Sequence, residues 1–158
     1  MIDATRLYDI DKASLGYGYS LTSNSLQLAR AYSAFANEGV MIEPKLFIND
    51  ETIRKRVLTK SNASFILDSL RMTILEGTAS NLKNEEVEIA GKTGTSEKYI
   101  EGVGYASEKY ISSFASIFPA QKPKFIMIVS IDEPDPNKYF GGDVSAPVVA
   151  RTPKFMKR

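Results

Sequence analysis

The stretch that decides the fold of this chain is Val87-Glu88-Ile89-Ala90-Gly91-Lys92-Thr93-Gly94-Thr95. Its first half alternates apolar and polar residues, which is typical of a β-strand. Its second half sets a lysine, two hydroxyls and unshielded glycine backbone side by side. Groups of this kind hold a carboxylate and stabilise an oxyanion, so the stretch predicts a site for an acyl donor. A nucleophile that would attack such a donor is not evident in the same residues.

The pattern also predicts where this strand lies in its sheet. Two glycines flank the lysine, and glycine weakens a strand unless something must approach its backbone closely. Strict alternation would place Thr93 on the face of Val87 and Ile89, away from Lys92. The two side chains can therefore serve one groove only if the strand lies at a sheet edge. The alternative is a solvated lysine at the end of a strand.

The composition is that of an ordinary globular domain. The 158 residues are 43% hydrophobic and 25% charged, which is enough apolar material for a core. Twenty basic residues against 19 acidic ones leave a net charge of +1. Bulk charge therefore indicates neither nucleic acid nor an anionic membrane as a partner.

Cysteine and histidine are both absent. Their absence excludes thiol nucleophiles, disulfides, zinc sites built on these residues and any Ser-His-Asp relay, so a lysine or a carboxylate must act as the base. The chain as written has no leader pattern and no run of the ~18 apolar residues that a membrane span needs. We therefore expect no export or anchoring segment within it.

Two helices are predicted in the first half of the chain. The first spans about residues 25 to 37, because Asn24 and Gln27 form a capping pattern and Gly39 provides a stop. The second spans about residues 61 to 75, where apolar residues recur at helical spacing.

The remaining elements are predicted to be mostly strands. A short strand is plausible at Lys45 to Ile48, and another covers Ile111 to Phe118. The almost wholly apolar run Phe125 to Ile131 predicts a central strand that is covered on both faces. A last helix starts near Ser145, and Pro153 should interrupt it early. Together with the strand quoted first, these elements predict an α/β fold of the α+β type, with an antiparallel sheet flanked by helices.

Several spaced motifs resemble the C-terminal half of a penicillin-binding protein transpeptidase domain, closest to the class B, septal cell-division type. They occur in the family's order and span most of the chain. The motifs are Asp9-Ile10-Asp11-Lys12-Ala13-Ser14, Tyr17-Gly18-Tyr19, Leu26-Gln27-Leu28-Ala29-Arg30-Ala31-Tyr32, Ala90-Gly91-Lys92-Thr93-Gly94-Thr95, Phe118-Pro119-Ala120, Ile131-Asp132-Glu133-Pro134, Tyr139-Phe140-Gly141-Gly142 and Val144-Ser145-Ala146-Pro147-Val148.

The resemblance implies a penicillin-binding/β-lactamase-like fold, in which helices sandwich a five-stranded antiparallel sheet. Residues 1–158 would be the C-terminal part of a single transpeptidase domain, and two strands and the nucleophile helix would be missing. In the family's strand order the run Phe125 to Ile131 pairs with one of the missing strands. Left unpaired, it would expose an apolar edge, and we expect the isolated chain to be insoluble or loosely packed.

The resemblance also implies roles for the Lys-Thr-Gly strand. Lys92 would be catalytic, because it contributes positive charge and helps proton transfer through the missing serine. Thr93, Gly94 and Thr95 would bind substrate. The two threonine hydroxyls would hold the carboxylate of the donor or of a β-lactam, and the Thr95 backbone N–H would supply half of the oxyanion hole. No metal and no organic cofactor are implied.

The family's nucleophile motif, Ser-x-x-Lys, has one local match. Ser80-Asn81-Leu82-Lys83 follows a helix stop in a polar stretch, whereas the family's serine opens a buried helix, so we do not expect Ser80 to be catalytic. The family's Ser-x-Asn motif does not occur. The nearest string is Thr22-Ser23-Asn24, whose asparagine is predicted to cap the first helix.

One further residue departs from the family's sequence, and one segment allows two interpretations. Ser116 stands where the family usually has glycine, and its side chain would lie close to the groove. The segment Ser96 to Tyr110 resembles the family's mobile segment beside the site, although a surface hairpin explains its composition equally well.

The aromatic residues in the first part of the chain are not predicted to form a platform for a ligand or for nucleic acid. Tyr32 and Phe35 lie on the apolar face of the first helix, and no basic cluster accompanies the others. The others are Tyr8, Tyr17 and Tyr19.

Two functional hypotheses follow. In the first, the chain is the carboxylate-binding and oxyanion half of a serine D,D-transpeptidase, which attacks D-alanyl-D-alanine stem peptides and is acylated by β-lactams during cell-wall cross-linking at division. In the second, it is an inert truncated or split product that only associates with an N-terminal half or with division proteins. The resemblance implies that the intact member is anchored in the inner membrane with this domain outside. The balanced charge of the chain predicts no binding of nucleic acid.

Related serine enzymes share the Lys-Thr-Gly strand, among them D-alanyl-D-alanine carboxypeptidases and β-lactamases. Two other features favour the transpeptidase over them. They are the Leu26-Gln27-Leu28-Ala29 helix and the string from Tyr139 to Pro147.

Overall fold

The protein is described by a computed structural model that covers residues 8, 9, 13, 22–102 and 104–155. The first motif of the resemblance is covered only in part, and Tyr17 and Tyr19 lie outside the described residues. The first helix, α1, spans Ser25–Ala36 and confirms the prediction for this region. The Asn24 side chain accepts from Gln27 N–H at 2.8 Å, and Gln27 Oε1 accepts from Asn24 N–H at 3.0 Å. This reciprocal pair satisfies two of the donors that a helix start leaves without partners.

A small two-stranded sheet follows α1. Strands β1, Val40–Ile42, and β2, Arg54–Arg56, pair antiparallel. The strand predicted at Lys45 to Ile48 is wrong, because these residues form the exposed turn between β1 and β2. Local hydrogen bonds favour that turn over a strand: Phe47 N–H donates to the Asp50 carboxylate at 3.1 Å, and the lysine ammonium donates to two backbone carbonyls in the same turn.

The second predicted helix is confirmed as α2, Lys60–Leu75. The Thr59 side chain caps it by accepting from Asn62 N–H at 3.1 Å. A short 3₁₀ turn, Ser80–Leu82, then leads toward the main sheet.

The main sheet has three described strands in the order β3-β4-β5, and both pairings are antiparallel. Strand β3 spans Ala90–Ile100, β4 spans Gly104–Phe118 and β5 spans Phe125–Asp132. The predicted strands are therefore confirmed, although β4 begins earlier than expected and Val87 and Ile89 precede β3. The Ser96 to Tyr110 segment is the distal part of the β3–β4 hairpin.

Two features were predicted for the apolar run that forms β5, coverage of both faces and a central position in the sheet. Its coverage on both faces is confirmed, because Ile126 and Ile128 pack against one core while Met127 and Val129 pack against the other. The apolar run by itself predicted a central strand, which is wrong for the described sheet, because β4 is its middle strand. The outer position of β5 agrees with the unpaired apolar edge that the resemblance implied.

Two helices close the described chain, α3 at Gly141–Val144 and α4 at Ala146–Phe155. The early interruption predicted at Pro153 is wrong, because α4 continues to Phe155. The proline lies within the last turn, where it costs one backbone hydrogen bond without ending the helix.

The main sheet separates two cores, so the predicted α+β sandwich is confirmed. Tyr32 of α1 and Leu70 of α2 contact one face, and Val149 of α4 contacts the other. Tyr32 and Phe35 meet edge to face with ring centroids 5.4 Å apart, and Tyr32 is buried. Their predicted place on the apolar face of α1 is confirmed. No helix of the described residues is long and apolar enough to cross a membrane.

Candidate active site

The four residues predicted for the site lie together near the start of β3. Within the described sheet β3 pairs only with β4, so it is an edge strand, which is the condition for Lys92 and Thr93 to serve one groove. Lys92 and Thr95 are exposed, and Thr93 and Gly94 are half-buried. The site is therefore open to solvent along the outer side of β3.

Lys92 bends back along this edge. Its ammonium donates to the Thr93 carbonyl at 3.0 Å, and no described carboxylate forms an ion pair with it. Its strand partner is Ala115, which belongs to the core beneath α1 and α2. Lys92 therefore starts on the α1 and α2 side of the sheet and brings a positive charge to the outer edge.

Thr93 lies on the opposite face and contacts a residue that the sequence did not single out. Its hydroxyl lies 2.7 Å from the hydroxyl of Thr78, and either oxygen can donate. Thr78 lies three residues after the end of α2, in a segment whose sequence resembles any polar connection. Only the folded arrangement shows that it belongs beside the site.

Thr95 faces the turn at the start of α3. Its hydroxyl accepts from Gly141 N–H at 3.1 Å. A Cβ at Gly141 would lie 2.4 Å from the Ser113 carbonyl oxygen and 2.8 Å from that of Gly94, so only glycine fits there. The sequence contained a signal for this contact, since the glycine pair 141–142 was part of the family resemblance, but it was assigned no role at the site.

The glycines of β3 permit close approach of neighbouring groups. A Cβ at Gly94 would lie 2.6 Å from the Ser113 hydroxyl, and one at Gly91 would lie 2.7 Å from the Ala115 carbonyl oxygen. The interpretation of both as close-approach positions is therefore supported by the folded geometry. The Ser116 side chain is fully buried and donates to the Met127 carbonyl of β5 at 2.9 Å, so it points toward β5 and its predicted place close to the groove is wrong.

The local Ser-x-x-Lys string covers the 3₁₀ turn, Ser80–Leu82, and the residue that follows it, Lys83. Ser80 and Lys83 are exposed and form no hydrogen bond to each other through their side chains. Lys83 lines a cavity of about 300 Å³ beneath α2, together with Arg71 and Glu88. Asn24, the asparagine of the string nearest to Ser-x-Asn, caps α1 as predicted.

Ionised groups tie the distal hairpin to the end of β5. The Lys98 ammonium donates to Asp132 and to Glu133, each at 2.8 Å, and Lys109 donates to Glu133 at 3.2 Å. The bond to Asp132, followed by that to Glu133, raises the pKa of Lys98 above its ordinary value. Donation from Lys98 and then from Lys109 lowers the pKa of Glu133.

Comparison with known proteins identifies the protein family to which this chain belongs. The model of the penicillin binding protein transpeptidase domain matches residues 2–154. The peptidoglycan D,D-transpeptidase FtsI homolog of Mesostigma viride is 32% identical over 90% of this chain and 28% of its own length. The peptidoglycan D,D-transpeptidase FtsI of Buchnera aphidicola subsp. Schizaphis graminum is 35% identical over 96% of this chain and 27% of its own length.

A solved structure agrees with these sequences. The transpeptidase domain of Burkholderia pseudomallei penicillin-binding protein 3, in its apo form, matches with a TM-score of 0.85 and 31% identity. The match covers 99% of this chain and 50% of that one, and the chain spans just over a quarter of the two curated relatives. The predicted resemblance is confirmed, and the chain belongs to the penicillin-binding protein transpeptidase family.

Proposed function

We propose that this chain is the C-terminal part of a single peptidoglycan D,D-transpeptidase domain, and that it contributes the carboxylate-binding and oxyanion half of the active site. The observation that carries the proposal is the free edge of β3, where Lys92, Thr93 and Thr95 meet within the region matched by the family model. A cation and two hydroxyls on one strand edge form a binding surface for an anion.

The proposed roles follow from the chemistry of the three side chains. The Lys92 ammonium attracts the carboxylate of a D-alanyl-D-alanine stem peptide or of a β-lactam and assists proton transfer through the serine of the other half. The hydroxyls of Thr93 and Thr95 donate to the same carboxylate. The serine attacks the donor carbonyl, forms an acyl-enzyme, and a second stem peptide then releases it by aminolysis.

Strand geometry supports Thr95 as an oxyanion donor. The N–H and C=O of one strand residue point to the same side, and this side alternates along the strand. The Thr93 carbonyl is turned toward the Lys92 ammonium at the outer edge. Thr95, two residues further on, points its N–H the same way, toward the side from which a ligand approaches.

A second candidate is that the chain by itself is catalytically inert and only associates with an N-terminal half. The three described strands leave β5 at an outer position, and Ser80 and Lys83 have no contact that would activate a serine. The two candidates are compatible, because a half-site can be indispensable and yet do nothing alone. Two relatives are named peptidoglycan D,D-transpeptidases. We further propose the role that the family resemblance implies, cross-linking at cell division by an intact protein that is anchored in the membrane with this domain outside.

Covalent labelling by a fluorescent penicillin tests the proposal. The protein to use is a joined domain, in which the N-terminal half of the Burkholderia pseudomallei domain precedes this chain. We expect labelling of the joined domain and none of the isolated chain, because labelling requires an activated serine. Replacing Lys92 by alanine in the joined domain should lower the labelling rate by about a hundredfold or more.

Two outcomes would contradict the proposal. One is a joined domain that melts cooperatively but takes up no label. The other is labelling of the isolated chain at Ser80, which would place the nucleophile within these residues. Where the joined chain does not melt cooperatively, co-expression of the two halves provides the same comparison.

A further inference from the structure

The two hydroxyls assigned to the ligand carboxylate differ in the groups behind them. The group behind Thr95 is the backbone N–H of Gly141, which lies 3.1 Å from the hydroxyl oxygen and can only donate. The Thr95 oxygen is therefore the acceptor in this bond. Its own proton stays available and can point toward an anion.

The group behind Thr93 is the hydroxyl of Thr78, at 2.7 Å. If Thr93 donated to Thr78, its proton would be used and its oxygen would face the anion with a lone pair. If Thr78 donates instead, Thr93 becomes equivalent to Thr95. A hydroxyl that accepts one hydrogen bond is also polarised into a stronger donor for the next one.

We propose that Thr78 is a positioning residue that donates to Thr93, so that Thr93 and Thr95 both present a proton to the ligand carboxylate. The inference rests on the proposed function of the β3 edge. It assigns a role to a residue outside the Lys-Thr-Gly strand, and that role is exerted through Thr93 rather than by contact with the ligand.

Contacts on both sides hold the Thr78 backbone in place. A Cβ at Gly142 would lie 2.1 Å from the Thr78 carbonyl oxygen, so the α3 turn packs directly on this residue. The Asn81 side chain donates to the Gly142 carbonyl at 2.8 Å, and the next residue after Thr78, Ala79, is fully buried. The Thr78 side chain itself is exposed, so its hydroxyl serves Thr93 without filling the core.

The test compares Thr78→Val with Thr78→Ser in the joined domain. Valine keeps the shape and removes the donor, whereas serine keeps the donor. We expect the rate of acylation by benzylpenicillin to fall about tenfold in Thr78→Val, because the hydrogen bond that orients Thr93 toward the ligand carboxylate is lost. In Thr78→Ser the rate should stay within about twofold of the unsubstituted rate.

A second arm removes the charge from the ligand. With the methyl ester of benzylpenicillin, which has no carboxylate, Thr78→Val and the unsubstituted domain should react within about twofold of each other. Thr152→Val is the matched control, because that hydroxyl only donates to the Val148 carbonyl within α4. It should react with the acid and with the ester as the unsubstituted domain does.

Three results would overturn the inference. Benzylpenicillin could acylate the Thr78→Val domain as fast as the unsubstituted domain. The substitution could slow acylation by benzylpenicillin and by its methyl ester equally. The Thr78→Ser domain could be acylated as slowly as the Thr78→Val domain. If valine abolishes cooperative melting, Thr78→Ala makes the same comparison. A cooperatively melting, unsubstituted domain that takes up no penicillin would contradict the proposed function itself, and this inference with it.

Discussion

The two outer edges of the main sheet have opposite characters. The β3 edge is polar and has Lys92, Thr93 and Thr95 along its outer side, with the Gly141 turn packed against it. The β5 edge consists almost entirely of apolar residues, and only Ser130 and the terminal aspartate interrupt them. Both edges leave backbone groups without a strand partner among the described residues.

This difference indicates which kind of partner each edge can bind. Backbone N–H groups beside a cation and hydroxyls favour an anionic ligand, because an anion accepts charge-assisted hydrogen bonds from all of them. Backbone groups along an apolar strand favour another strand, because pairing satisfies them while apolar neighbours are buried. The β3 edge therefore has the composition expected of the anion-binding surface that we propose, and the β5 edge has the composition expected of a strand that pairs with another strand.

The largest effect is expected at the β5 edge. The isolated chain should be mostly insoluble, whereas the joined domain should be soluble and melt cooperatively, because its added half supplies a partner for β5. Ser130→Lys should increase the soluble fraction of the isolated chain, since a lysine on an exposed edge position blocks pairing between copies. Sedimentation followed by quantification of the supernatant measures both.

A matched control separates edge pairing from net charge. Ser69→Lys adds the same charge at an exposed position of α2, away from the sheet, and should leave the soluble fraction unchanged. Equal rescue by the two lysines would mean that charge alone limits solubility. A soluble, cooperatively unfolding isolated chain would show that the β5 edge needs no partner.

A smaller effect is expected where the α3 turn meets the β3 edge. Gly142→Ala would place a Cβ 2.1 Å from the Thr78 carbonyl oxygen, which is backbone and cannot rotate away. We expect a loss of about 1–3 kcal/mol of unfolding free energy in the joined domain, as is typical of overpacking, and slower penicillin labelling. Denaturant unfolding and labelling rates measure the two effects.

The control for this substitution is Gly102→Ala. Among the described residues, no atom outside the immediate chain neighbours lies within 4 Å of a Cβ at Gly102, and its φ of +80° makes alanine strained without a clash. It should therefore lower stability slightly and leave labelling unchanged. A Gly142→Ala domain with unaltered stability and labelling would mean that the α3 turn moves freely away from the site.

The sequence predicted those parts of the fold that depend on local patterns. The capping pair at Asn24 and Gln27 fixes the start of α1, and apolar periodicity fixes α2. The prediction failed at Lys45 to Ile48, where side-chain hydrogen bonds within the turn outweigh β-propensity. The apolar pattern of β5 predicted that its faces are covered but placed it centrally, because such a run says nothing about which edge has a partner. Only the strand order implied by the resemblance predicted its outer position.

The site was predictable only along the strand that contains it. Lys92, Thr93, Gly94 and Thr95 form one contiguous motif, and a groove shared by Lys92 and Thr93 requires β3 to lie at a sheet edge. Thr78 and Gly141 reach the site through tertiary packing, across separations of 15 and 46 residues. No periodicity relates such distant positions, so their contacts emerge only when the two segments fold against β3.

The smallest effect is expected where ion pairs link the two edges across β4. Lys98 of β3 binds Asp132 and Glu133 at the end of β5, and hydrogen bonds from Lys98 and then Lys109 lower the pKa of Glu133 below its ordinary value of 4.5. A carboxyl with a lowered pKa stabilises the fold above pH 4.5, and this contribution is lost as the pH falls through the folded pKa. Exposed pairs contribute little, so the shift in melting temperature should be small and should shrink with added salt.

Glu133→Gln tests this link, because glutamine keeps the shape and removes the charge. The joined domain should melt at a slightly higher temperature than the Glu133→Gln variant near pH 7, and the difference should disappear as the pH is lowered below 4.5. Glu76→Gln, at the exposed end of α2, is a control in which no ion pair of the described residues is lost. A Glu133→Gln difference that persists unchanged in strong acid would show that the hairpin and β5 are held by packing and not by charge, and the two edges would then be coupled through β4 alone.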